Sequence, residues 1–118
     1  MICNRSPTTF TLVSSTDTSS VVEWIPGYNG GHDQTFNIQY RIINEFKIWI
    51  TQKIPQYNRQ IYKLSGLQGD TWYELRMFAE NKFDSSLATD IQSISTMPSV
   101  EKGMIFLEYL NFVLFLKI

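Results

Sequence analysis

Apolar residues recur at every second position in a series of short stretches, and polar clusters punctuate them. Thr8 to Val13 alternates with Phe10 and Leu12 on one face. Ser14 to Ser20 is a polar turn, and Val21 to Ile25 comes next with Val22 and Trp24 sharing a face. Pro26-Gly27 stops that run and Asn29-Gly30-Gly31 extends the loop. Phe36, Ile38 and Tyr40 fall at i, i+2 and i+4, as a half-buried strand requires. Phe46 to Thr51 is β-rich, but Ile48, Trp49 and Ile50 are consecutive and Pro55 lies close, so an edge strand or a loop is expected. Ile61 to Leu64 points Tyr62 and Leu64 to one side. Tyr73, Leu75, Met77 and Ala79 share one face of the next run, and Ile91 to Ser95 closes the series before Pro98.

These are about seven short strands bounded by turn residues, with no helical periodicity before residue 104. Such a pattern predicts an all-β sandwich or barrel. The length of 118 residues is room for one domain of ordinary size. With 43% hydrophobic and 18% charged residues, the chain can fill a core. A net charge of -1 without a basic stripe argues against nucleic acid as a partner. Cys3 is the single cysteine, so no internal disulfide or cysteine metal cage can form, and packing must hold the fold.

The two ends differ from the middle. Met1 to Arg5 lacks the apolar run of a secretory leader, which fits a fragment of a longer protein. Residues 104–118 are strongly apolar, interrupted by Glu108 and Asn111. A fifteen-residue helix spans about 22 Å, short of the roughly 30 Å hydrocarbon core. The tail reads as a truncated membrane anchor, a segment packed on the sandwich, or non-native sequence. The expected organisation is a flank over 1–6, a domain over 7–98, and a hydrophobic tail over 99–118.

Four features resemble the fibronectin type III family. They are the strand end Val22-Glu23-Trp24-Ile25-Pro26; the alternation Phe36-x-Ile38-x-Tyr40-Arg41; Leu64-x-x-Leu67 followed by Tyr73; and Tyr73-x-Leu75-Arg76-Met77-x-Ala79-x-Asn81, with a closing strand ending at Thr96-Met97-Pro98. The loop Pro26 to Gly31 further resembles modules of immunoglobulin-superfamily adhesion receptors of the nephrin type. The resemblance implies a seven-stranded antiparallel immunoglobulin-like sandwich with a short hydrophobic C-terminal tail. It also implies a tyrosine corner, in which the Tyr73 hydroxyl bonds to backbone upstream and pins the crossover between sheets. Trp24, Tyr40, Leu64, Leu67, Tyr73, Leu75 and Ala79 are the expected core, with Trp24 packed against Tyr40, Leu64 and Tyr73.

Chemistry finds little purchase. His32 is the single histidine, beside Asp33 in a glycine-rich loop, and no spaced His/Cys set surrounds it. No nucleophile elbow or phosphate-cradling loop is present. Gln68-Gly69-Asp70 lacks the arginine of an integrin tripeptide. No cofactor, no metal and no catalytic residue are therefore expected. Asn4-Arg5-Ser6 is a glycosylation sequon, followed by Pro7, and makes Asn4 a candidate glycan site. If Tyr73, Leu75 and Met77 face inward, then Phe78 and Arg76 face outward, beside Arg41 and near Ile48 or Trp49. Phe78, Arg76, Arg41 and Trp49 are the candidate protein contact.

The resemblance implies a protein–protein contact or spacer module of a cell-surface adhesion receptor. Its partners would be adhesion molecules or neighbouring domains, and any membrane attachment would run through the tail or the remainder of the chain. An intracellular muscle-type scaffold module and an accessory domain of a larger receptor enzyme are the alternatives. Fold alone does not choose between them.

Overall fold

The computed structural model describes residues 4–44 and 48–99. Seven antiparallel strands appear in that span: β1 (Thr8–Ser15), β2 (Ser20–Ile25), β3 (Thr35–Ile42), β4 (Ile50–Ile54), β5 (Ile61–Leu64), β6 (Trp72–Glu80) and β7 (Gln92–Ser95). They form a three-stranded sheet in the order β1-β2-β5 and a four-stranded sheet in the order β4-β3-β6-β7. The alternation of each strand turns one row of side chains toward the opposing sheet. Phe36, Ile38 and Tyr40 on β3 stand opposite Ala79, Met77 and Leu75 on β6.

The core joins Phe10, Val22, Trp24 and Leu64 of the first sheet to Phe36, Ile38, Ile54, Tyr73, Leu75, Met77, Ala79 and Ile94 of the second, with Leu67 at the crossover. Trp24 meets Phe36, with ring centroids 5.2 Å apart and a 58° tilt. This refines the expectation of Trp24 packed on Tyr40: Tyr40 is only half-buried, and it meets Tyr73 edge-on at 6.2 Å.

The crossover is held by a short hydrogen-bond cluster. The Gln68 amide donates to Tyr73 Oη at 2.8 Å, which is the tyrosine corner. The Leu67 amide donates to the Thr18 carbonyl at 2.9 Å, tying the β5–β6 connection to the β1–β2 loop. Buried Thr96 donates through Oγ1 to the Gln68 carbonyl at 2.6 Å and accepts from the Thr71 amide at 3.1 Å.

Two local expectations shift. The fourth strand begins at Ile50 rather than Phe46, because the register runs from Tyr40↔Ile50 to Phe36↔Ile54. Ile54, fully buried opposite Phe36, anchors it, while Ile48 stays 86% exposed. Phe46 lies outside the described residues, as does the 104–118 tail. Leu12 stands opposite buried Val22 yet is 43% exposed, because β1 is an edge strand with register shifts on both sides of that segment. One shift carries Thr9 at φ 52, a strained backbone for a β-branched residue.

Replacing Trp24 with alanine would cost about 3–5 kcal/mol through lost transfer energy and a cavity. Tyr73→Phe keeps the ring and removes the corner bond, so it should cost about 1 kcal/mol. Urea titrations of both variants against the parent check the ranking. A Tyr73→Phe loss as large as that of Trp24→Ala would contradict it.

Candidate functional site

The outward side of the four-stranded sheet carries the densest arrangement of functional groups. Because Tyr73, Leu75, Met77 and Ala79 point inward, Trp72, Glu74, Arg76, Phe78 and Glu80 point outward from β6. On β3 the outward residues are Asn37, Gln39 and Arg41, directly opposite Phe78, Arg76 and Glu74. Cross-strand neighbours at this spacing interact. Arg41 Nε donates to Glu74 Oε1 at 2.9 Å, and Arg76 Nε donates to Gln39 Oε1 at 2.8 Å. Gln39 Nε2 passes the chain on to Thr51 Oγ1 on β4 at 3.2 Å.

Trp49 lies over this lattice. It precedes β4, and its ring centroid is 4.0 Å from the Arg41 guanidinium carbon and 4.3 Å from that of Arg76. Both contacts are within cation–π range, each worth about 0.5–1 kcal/mol at a surface site. Hydrogen bonds from Arg41 to Glu74 and from Arg76 to Gln39 fix the guanidinium planes, so the indole rests on a prearranged platform. Arg rather than Lys suits this position, since its planar group can stack and donate at once.

Three of the four candidate contact residues thus meet directly: Arg41, Arg76 and Trp49. Phe78 shares the face but is half-buried rather than fully exposed. The exposed aromatic of the strand is Trp72, at 58%. Sequence reasoning begins that strand at Tyr73 and so misses it. The signal is present, because Trp72 continues the Glu74-Arg76-Phe78 alternation by one step.

Toward the far end of the face, Glu80 Oε1 accepts from Lys53 Nζ at 3.0 Å and from Asn37 Nδ2 at 3.1 Å. The lysine first, then the amide, hold the Glu80 carboxyl below the ordinary glutamate range against the opposing effect of partial burial. Beyond it opens a polar cleft of about 690 Å³ between His32, Tyr57 and Lys82. His32 stands edge-on to Phe83 at 4.6 Å. Asn81 braces this end, donating to the Asn29 carbonyl at 3.0 Å and accepting from the Phe83 and Asp84 amides at 2.8 and 3.0 Å. Among the described residues no group of three His, Cys, Asp or Glu side chains could hold a metal ion.

Asn4 is not presented to solvent. It is 6% exposed, and its Nδ2 donates to the Asp84 carbonyl at 3.2 Å. The sequon asparagine is thus enclosed by the fold rather than standing on its surface. The expected core residues lie in the interior, with Tyr40 at its margin.

The Glu80 environment gives a pH-dependent outcome. A carboxylate whose folded value lies below its unfolded one stabilises the fold fully above the ordinary glutamate range. That contribution is lost as pH falls through the folded value. Carboxyl carbon NMR should find Glu80 titrating lower than a reference glutamate in the parent and higher in Lys53→Met. No upward move in Lys53→Met would remove the lysine from this role.

Comparison with known proteins gives this architecture a lineage. The fibronectin type III domain model matches residues 5–92. The mouse (Mus musculus) cell adhesion molecule DSCAML1 is 33% identical over 104 residues, covering 84% of this chain and 5% of that protein. Human (Homo sapiens) Brother of CDO is 33% identical over 85 residues, 70% of this chain and 8% of its own length. Mouse nephrin is 30% identical over 94 residues, 78% of this chain and 7% of its own. The chain thus spans less than a tenth of each of these relatives. In fold it is similar to the solved "Myokine structure", with TM-score 0.70 and 18% identity over 80% of this chain and 99% of that one. It is also similar to titin domains A168-A170, with TM-score 0.66 and 21% identity over 80% of this chain and 32% of that one. The chain belongs to the fibronectin type III domain family, homologous to the modules of cell-adhesion receptors.

Proposed function

We propose that the chain is a non-catalytic protein-contact and spacing module of a cell-surface adhesion receptor. Its contact face is the outward side of the β4-β3-β6-β7 sheet. The observation that carries this reading is the Trp49 ring seated on Arg41 and Arg76, with Trp72 exposed on the same face. Trp and Arg are among the side chains that most often anchor protein interfaces. Both are held in place before any partner arrives, which lowers the entropy cost of association. The surrounding Glu74, Gln39, Thr51 and Lys53 form a polar rim.

The spacing role rests on the placement of the two described ends. Asn4 lies beside the β2–β3 and β6–β7 loops, bonded to Asp84, and Ser99 lies at the other end beside Gly69 of the β5–β6 connection. A module whose chain enters at one end and leaves at the other can be threaded in series. The extracellular context comes from the relatives, which are adhesion molecules.

A panel of cell-surface receptor ectodomains, probed with the labelled chain, tests this reading. Captured partners should bind Trp49→Ala and Arg76→Gln at least about tenfold more weakly, as loss of an interface anchor does. Stability should fall by no more than about 2 kcal/mol in Trp49→Ala, which loses both cation–π contacts, and by about 1 kcal/mol in Arg76→Gln. A partner that binds both variants as it binds the parent would place the contact elsewhere.

A further inference from the structure

The chain from Asn4 to Pro7 runs across one end of the sandwich before β1 begins, and three hydrogen bonds hold it there. Asn4 Nδ2 donates to the Asp84 carbonyl at 3.2 Å. The Arg5 amide donates to the Tyr28 carbonyl at 2.9 Å. Ser6 Oγ donates to the Leu87 carbonyl at 2.6 Å. Tyr28 lies in the loop between β2 and β3, and Asp84 and Leu87 lie in the loop between β6 and β7. The segment therefore straps together two separate loops.

Its seat is shaped for backbone. A Cβ on Gly27 would lie 2.6 Å from the Ser6 carbonyl oxygen and 2.8 Å from that of Arg5, so no other residue fits there without moving the strap. Gln34, buried at 2% exposure, donates to the Gly27 carbonyl at 3.3 Å and braces the seat from below. Asn4 itself is 6% exposed.

We propose that closure of this strap and N-glycosylation at Asn4 exclude each other. The two side chains that define the sequon, Asn4 and Ser6, are the two that fasten the strap. Transfer joins Asn4 Nδ2 to the anomeric carbon of the sugar. It breaks the bond from that carbon to the pyrophosphate of a lipid-linked donor, and one amide proton leaves. The nitrogen must be exposed for this, and the attached sugar cannot return to a site that encloses it. A chain glycosylated before folding keeps Asn4 outside, and the Asp84, Tyr28 and Leu87 carbonyls lose their bonds to the strap, while Asp84 keeps the Asn81 amide and Leu87 the Ser86 hydroxyl. A chain that folds first hides the acceptor. The sequon then records whether this end of the module closed before the transferase reached it.

The test incubates the purified full chain with an oligosaccharyltransferase and a lipid-pyrophosphate-linked oligosaccharide, alongside a peptide of residues 1–9. The folded chain should be modified at least about tenfold more slowly than the peptide, because the strap must first open. Its Arg5 amide should be protected from hydrogen exchange. In Gly27→Ala the strap cannot seat, so the rate should rise and Arg5 protection should fall, with the Val22 and Leu75 amides still protected as evidence of folding. Equal rates for the folded parent and the peptide, or Arg5 exchange as fast as in the peptide, overturns the proposal whatever Gly27→Ala does.

Discussion

With its one cysteine at position 3, this sandwich has no disulfide between its sheets, which core packing joins with help from the hydrogen bonds of the crossover. The contact between Trp24 of β2 and Phe36 of β3 is where that packing concentrates. Each ring belongs to a different sheet, and both are almost fully buried. A domain of this size has only about 5–15 kcal/mol of net stability, so one large aromatic plug is a sizeable share of it. Ile54, Ile38, Met77 and Ala79 fill the space around Phe36, and the register of β3 with both neighbours follows from that filling. A slip of one residue would turn the whole row to solvent.

The same constraint sets the outer face. Once the inward row is buried, Arg41, Gln39, Glu74 and Arg76 are forced outward and opposite one another, and Trp49 finds two guanidinium planes already fixed. The platform is thus a by-product of core registration. The strand edges are blunted in ways that keep association on faces rather than edges. β4 and β5 carry Lys53 and Lys63. Gln52 Nε2 occupies the Lys53 carbonyl at 3.1 Å, and Arg59 covers the Ile61 carbonyl at 3.2 and 3.0 Å. β1 is broken by two register shifts, and β7 spans four residues.

Much of the fold is legible in the chain because period-2 alternation is local. The strands that carry Trp24, Tyr40, Leu64 and Ala79 near their ends can be read from it directly. The tyrosine corner is legible because Leu67 and Tyr73 stand at a spacing with a mechanism behind it. The fourth strand is misplaced by sequence because Ile48, Trp49 and Ile50 give no alternation, and only pairing with β3 selects Ile54 as the inward residue. Trp72 escapes for a similar reason: a strand boundary one residue early or late hides a face residue, and boundaries depend on partner strands.

The sequence by itself determined the class of structure and the inward row of each clear strand. Those depend on residue type and near-neighbour spacing. The tertiary structure decided what lies far apart in the chain but close in space. It set the Trp49 ring on Arg76, gave Lys53 and Asn37 to Glu80, and turned Asn4 inward to a carbonyl eighty residues away. No local pattern encodes those meetings, because each depends on how two sheets register and how their loops close around a shared core.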